Sequence, residues 1–480
     1  MRKLLCISLL LLGAVLRLPA QVLSEGQSLL FLPEENRTRA QAGLRFREED
    51  DACRPEEGTA LLQGEFRAWS RHSLDSIHRV QGNVSYERGV KRAVNWNTSS
   101  DWDLLSPYIT LDTVGGNLQK EQYRFAARFA SRPGRFLYML GADYRALQEW
   151  RDTDPRPRNI TADLKLSATA GITLDRYALT LEGAYRKYHQ SNSTEFMDSR
   201  GNNTVLFHYL GMGRYSTRFS GAKKSTDVRF QGNGFGVQLL LEPQDGQGWI
   251  GGGNWSRIHL TRRLPGYNET PMSELVNQAA CGYAGYKWEN AFLRADVTLR
   301  LKQGTENIVD QTSAFNILGG LDLYRETFWK AALKGLVAWN RPSVRWTLQP
   351  SAAYWSEEAA GLYPGTGYAF RYLGASARGT ASWEWGKWRI HAGASMGARL
   401  NLEARMDVSA QPMDARFREY YSHLEERRSA STICLGAEAV VSRALSEGLS
   451  LYVKPECEYR QYLPVPHYRV GALLAVGIEF

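Results

Sequence analysis

Residues 467–480 read HYRVGALLAVGIEF, and their alternation is strict. Tyr468, Val470, Ala472, Leu474, Val476, Ile478 and Phe480 share one parity, and His467, Arg469, Gly471, Leu473, Ala475, Gly477 and Glu479 the other. Successive side chains of a β-strand point to opposite faces, so the segment carries one apolar stripe and one polar or small stripe. So apolar a stripe needs a dry neighbour. A strand of about ten residues, apolar outward and polar inward, is what a bilayer-spanning barrel requires.

The same period recurs upstream. Ile160, Ala162, Leu164, Leu166, Ala168, Ala170 and Ile172 alternate with Thr161, Asp163, Lys165, Ser167, Thr169 and Gly171. Leu293, Ala295, Val297, Leu299 and Leu301 oppose Arg294, Asp296, Thr298, Arg300 and Lys302, a row too charged for a dry sandwich core. The longest run, 387–407, sets Trp388, Ile390, Met396, Leu400 and Leu402 against Arg389, His391, Arg399, Glu403 and Arg405. About twenty residues of strict alternation exceed the usual strand of a soluble sheet. Trp329 and Trp339 share the apolar parity ten residues apart, about 24 Å of membrane height at a 45° tilt. With Trp388 they are candidates for the interface girdles. These readings predict an all-β chain, a transmembrane antiparallel up-and-down barrel of about 16 strands, 14 to 18 in range. Inner and outer connections fall out of phase across 303–369, where one strand is missed or split.

The termini and bulk composition agree with export. Arg2 and Lys3 precede an apolar run from Leu4 to Leu16, which reads as a signal peptide over residues 1–20, cleaved before Gln21. Its removal takes the cations from 59 to 56 against 50 acids, leaving +6, a weak basic excess that does not identify a nucleic-acid binder. The mean hydropathy of -0.41 is compatible with a barrel, because half of every strand faces water. Cys53, Cys281, Cys434 and Cys457 are too few and scattered for a disulfide framework, and parity puts Cys434 and Cys457 on opposite faces. Residues 21–117 are charged early and tryptophan-bearing later. They form a lead that plugs the lumen, lies in the periplasm or supplies opening strands; partial occupation of the lumen is favoured, with the barrel over 118–480.

No chemistry stands out. There is no His-x-x-x-His pair or zinc-spaced cysteine pair, and the Gly-x-Ser-x-Gly spacing at Gly393, Ser395 and Gly397 falls inside the alternating run and not at a strand-to-helix elbow, so no catalytic residue, metal or cofactor is expected. His391 and Glu403, twelve residues apart on one strand, are about 40 Å distant and cannot form a dyad. The expected lumen row is Arg294, Arg300, Lys302, Arg389, Arg399, Glu403, Arg405, Lys454, Glu456, Glu458, Arg460, Arg469 and Glu479. Basic arrays across a pore select anions, but mixed signs favour a salt-bridged interior. The loop from His189 to Asp227, with Arg214, offers contacts to lipopolysaccharide phosphates, and Ser422 to Arg428 reads as a short polar helix.

The closing strand, with Tyr468, Val470, Val476, Ile478 and the terminal Phe480, resembles the C-terminal assembly signal of Gram-negative outer-membrane proteins. Ser106-Pro107-Tyr108-Ile109, Asp112-Thr113, Gly115-Gly116 and the stretch from Asp152 to Asn159 before Asp163-Leu164 resemble an uncharacterised family of Bacteroidota outer-membrane β-barrels. That resemblance carries no activity. It implies a cell outer-membrane location, with lipid, lipopolysaccharide and the barrel-assembly machinery as partners. The expected function is a channel, or an accessory of a nutrient-uptake system, for solute passage. A lipid- or peptide-hydrolysing barrel and a structural or adhesion barrel are the alternatives.

Overall fold

The structure, a computed structural model, describes residues 36–50, 54–197, 206–216, 225–244, 246–310, 315–363, 365–408 and 414–480. The expected signal peptide, its cleavage point and Cys53 lie outside the described residues. In chain order the strands are β1 (Arg37–Glu49), β2 (Ala60–Ser73), β3 (His78–Val94), β4 (Thr110–Asp112), β5 (Gly116–Ser131), β6 (Phe136–Trp150) and β7 (Arg156–Leu174). They continue with β8 (Tyr177–Glu195), β9 (Leu206–Gly211), β10 (Arg214–Ser216), β11 (Ser225–Pro243), β12 (Gly248–Leu264), β13 (Thr270–Lys287) and β14 (Ala291–Val309). The last seven are β15 (Ile317–Arg341), β16 (Val344–Leu362), β17 (Gly365–Trp385), β18 (Trp388–Asp407), β19 (Ser431–Ser446), β20 (Leu449–Leu463) and β21 (Tyr468–Glu479).

All but β4, β9 and β10 join one 18-stranded antiparallel sheet, each strand beside its successor. The sheet closes where β1 pairs with β21, from Arg39↔Glu479 to Glu49↔Arg469. Thr38 and Phe480 exchange both backbone hydrogen bonds at 2.6 and 2.8 Å, so the seam has no free edge at its end. Tight turns such as 175–176, 342–343 and 386–387 cluster at one end with both chain ends of the barrel. The long connection 95–115 and residues 414–430 lie at the other, the pattern of periplasmic turns and extracellular loops.

Burial follows the alternation. Leu140, Phe235, Val297, Leu333 and Met396 are each more than half exposed, and they point away from the lumen. In hydrocarbon only a closed barrel or a helix satisfies the backbone while presenting such side chains. The chain is therefore a transmembrane barrel of the outer-membrane type.

Two expectations shift. The strand lost from the sequence count lies upstream of 303–369: it is β13, whose outward row includes Ala280, Gly282 and Ala284, too small to register as an apolar stripe. The wall also begins before 118, because residues 37–94 supply β1, β2 and β3.

Candidate functional site

The functional geometry is a lid inside the extracellular mouth, built by three connections between wall strands. The first, 95–115, contains a single helical turn, α1 (Trp102–Leu105), and β4. The second is the β9–β10 hairpin, which pairs with β4 into a three-stranded inner sheet. The third is α2 (Ala415–Ser429), whose N-cap Asp414 accepts a hydrogen bond from the Arg416 amide at 2.9 Å. An acceptor at that position satisfies one of the first turn's orphan donors.

Apolar burial joins the three pieces. The Phe417 ring, fully buried, lies 4.9 Å from Trp96, 5.3 Å from Phe207 and 5.0 Å from Tyr215, with Tyr420 5.0 Å from Trp96. Tyr209 and Tyr421 share a hydroxyl–hydroxyl contact, and the Gly213 amide donates to Tyr421 at 2.8 Å. Burial pushes the Tyr209 phenol up to about 12. Aromatic pairs of this kind contribute about 0.5–1.5 kcal/mol each beyond their buried area.

Polar contacts fasten the lid to opposite sides of the wall. Arg145 on β6 meets Asp101 at 2.5 Å, and the Tyr188 hydroxyl donates to the same carboxylate at 2.9 Å. Burial alone would raise the Asp101 carboxyl, but Arg145 overrides it and holds the group below its ordinary range. The Asn159 and Asn192 amides donate to the Thr98 carbonyl at 2.7 and 2.6 Å. Across the lumen Asn277 donates to the Leu104 carbonyl at 2.8 Å, and Arg214 pairs with Glu306 at 2.8 Å. Tyr108 reaches β14 because residue 304 is glycine; a Cβ there would lie 2.5 Å from its hydroxyl. At the C-terminal end of α2, the Arg428 carbonyl accepts from Tyr372 at 3.0 Å and that of the C-cap Ala430 from Arg399 at 2.8 Å.

The expected lumen row divides. Arg294 pairs with Asp296 at 3.1 Å, Lys302 with Glu326 at 3.4 Å and Lys454 with Glu456 at 2.5 Å, all on inward positions. Arg469 joins Glu49 at 3.4 Å and Glu458 at 4.0 Å. Arg300 sits over the Phe328 ring at 3.9 Å, and Arg460 is opposite Cys434 on the inner face. Arg389 and Glu479 lie at the periplasmic rim, bound to Glu384 at 2.9 Å and to Arg37 and Arg39. Glu403 and Arg405 are corrected: a register shift opposite Arg371 and Tyr372 reverses the parity of β18 above Asn401. Ala404 then pairs with the buried Phe370, Met406 packs on the lid, and Glu403 turns outward to Arg371 at 2.6 Å. Trp329, Trp339 and Trp388 face outward, and so do Tyr468, Val470, Val476, Ile478 and Phe480. Cys434 is buried and Cys457 exposed.

Sequence reasoning favoured part of residues 21–117 in the lumen but did not find a lid assembled from three connections. The helix expected at 422–428 is longer and buries Phe417, Tyr420, Tyr421, Leu424 and Arg427. Of the 189–227 connection, strand pairing takes residues to 195 and from 225, and 206–216 turn inward; Arg218, Lys223 and Lys224 lie outside the described residues. Trp96 and Trp102 in a charged segment were the available signal.

One constellation resembles a hydrolase. The Ser382 hydroxyl is 2.7 Å from His391 Nδ1, on paired positions of β17 and β18. Glu438, however, is held by Arg378 and lies 4.0 Å from His391 Nε2, too far to orient the ring. Thr347–Thr380 and Ser351–Ser376 make the same cross-strand contacts at 2.6 Å nearby, so the pair is one of a polar ladder. Among the described residues no three His, Cys, Asp or Glu groups could hold a metal ion.

A family model described as a family of unknown function (DUF6850) matches residues 27–480. No curated protein matches. Among solved structures, the ferric citrate transporter FecA in its unliganded form is 9% identical, with a TM-score of 0.41 over 93% of this chain and 79% of that one. The siderophore receptor PiuA from Acinetobacter baumannii is 8% identical, with a TM-score of 0.42 over 93% and 82%. The FrpB iron transporter from Neisseria meningitidis is 8% identical, with a TM-score of 0.40 over 95% and 82%.

Proposed function

The chain belongs to that family of unknown function, and we propose that it is a gated barrel for the passage of a solute across the outer membrane. The observation carrying this reading is the lid. Three connections from distant parts of the chain converge inside the mouth, while the wall beneath them is lined by paired charges such as Arg124–Asp143 and Lys334–Asp296. A barrel built only to hold an outer surface would not need its mouth filled. Passage requires the lid to move as a unit, and its attachments suit that. They combine hydrogen bonds and ion pairs to the wall, individually worth about 1–3 kcal/mol, with apolar packing of the aromatic centre on wall residues such as Phe230, Leu260 and Tyr324. Loop closures of this kind gate access in other proteins on microsecond to millisecond timescales.

Conductance of the purified protein in planar bilayers tests the proposal. The intact chain is expected to pass little current at rest. A variant with 414–430 replaced by a short Gly-Ser linker is expected to show stable ion flux. Absence of current in both would sink the pore reading, and lipid or peptide hydrolysis abolished by Ser382→Ala would replace it with an enzymatic one.

A further inference from the structure

Outside the lumen, charge on the upper wall differs with depth. Between β8 and β12, just above the outward aromatics Tyr185, Phe235 and Trp255, the wall presents Lys187, Arg229, Arg257 and Arg263. Of the carboxylates on this face, Glu269 pairs with Arg229 at 2.5 Å and Glu274 takes His259 at 2.8 Å, while Asp227, which accepts from Ser193 at 2.6 Å, and Glu195 stand higher on the same outward rows. Strand neighbours fix the direction of the row. Val228, Phe230, Ile258 and Leu260 pack in the lid cluster, so the residues between them face the membrane. A comparable outward stretch over β15 to β18 carries Arg325, Arg371 and Arg405 against Asp322, Glu358, Glu403 and Asp407, with carboxylates level with the cations. On the β8–β12 side, by contrast, the positions level with Lys187 and Arg257 are Asn233, His259, Phe235 and Tyr185, with no carboxylate among them.

Within that side, Lys187 and Arg257 have the geometry of a clamp. Lys187 is paired with Asn233 and Asn233 with His259, and Phe235 is opposite Arg257 one pleat lower. The two Cα positions are two strands, about 10 Å, apart laterally and about 7 Å apart along the strand. Both long side chains reach a group standing over Asn233. The platform is already polar and ordered: Asn233 Oδ1 accepts from Lys187 Nζ at 3.0 Å and from the Tyr185 hydroxyl at 2.9 Å. Lys187 and Arg257 have no carboxylate in ion-pair range among the described residues. The Tyr185 and Phe235 rings, 5.5 Å apart, form an apolar floor below.

We propose that this patch binds the phosphate of an outer-leaflet lipid headgroup, with the acyl chains lying on the apolar wall below. Cations directly above an aromatic belt sit at headgroup depth, where a guanidinium and an ammonium that no wall carboxylate neutralises together match a phosphate. A lipid source is favoured over free phosphate because the aromatic floor contributes nothing to an inorganic ion.

Native mass spectrometry of the full-length protein in detergent tests this with three probes: diphosphoryl lipid A, the same lipid stripped of phosphate, and inorganic phosphate. Intact protein is expected to retain diphosphoryl lipid A about tenfold better than the dephosphorylated form, and Lys187→Gln with Arg257→Gln to remove that preference. Arg325→Gln with Arg405→Gln, on the β15–β18 side, is expected to leave it unchanged. Heat-modifiable gel mobility confirms that each variant is folded. Equal retention of both lipid forms, loss in both double variants alike, or full displacement by millimolar inorganic phosphate would each overturn the proposal.

Discussion

Arg151 and Asp112 show how much one pair can carry. Their side chains are 1% and 0% exposed and meet at 2.5 Å, tying β4 of the lid to the top of β6. Arg151 Nε and Nη1 are buried without a hydrogen-bond partner, so the pair is already costly and depends on its charge partner. Removing one member of such a pair costs about 3–5 kcal/mol because the other is left buried and uncompensated. Asp112→Ala is expected to destabilise by that order, read as a lower urea midpoint. Asp112→Leu with Arg151→Met is expected to recover much of the loss. Asp414 is a milder case, since its N-cap contact is worth about 1 kcal/mol of local helix stability. Arg416, through its guanidinium and amide, holds the Asp414 carboxyl at about 2, below the unfolded value near 3.9. A depressed acid stabilises above its unfolded value and stops doing so as pH falls through the folded one. Acidification from about pH 4 towards 2 is therefore expected to loosen α2, raising bilayer current in the intact chain and changing it less in Asp414→Ala.

The lid elements differ from the wall strands in how they are held. A wall strand is fixed by two ladders, whereas α2 is held by Phe417 and Leu424 on one face and by carbonyl contacts at its end. Gly304→Val places side-chain atoms where the Tyr108 ring lies. It is expected to free residues 95–115 without unfolding β14. Hydrogen exchange should rise at 96–112 and stay unchanged at 293–302; exchange rising equally in both would refute a separable lid. The strands were legible because alternation is local. The lid was not, because Trp96, Phe207 and Phe417 come from three distant segments and share no periodicity. Even within a strand, one register shift was enough to reverse Glu403 and Arg405.

The whole molecule depends on its seam. β1 meets β21 over eleven pairs, and Arg39 and Glu479 close its periplasmic end at 2.5 Å. Deleting Phe480 removes the outward aromatic and the paired hydrogen bonds to Thr38. The fraction migrating as folded, heat-modifiable barrel is expected to fall several-fold; an unchanged fraction would show that the rest of β21 suffices. The sequence by itself determined that strands with one apolar and one polar face run through most of this chain and end at Phe480. That arrangement has one stable home, a closed barrel in a bilayer, because lipid offers no water to an unpaired backbone. Tertiary structure alone decided the count of eighteen, the use of residues 37–94 as wall and the filling of the mouth. Those depend on which segments meet across the lumen, and contacts between residues hundreds of positions apart leave no period in the sequence.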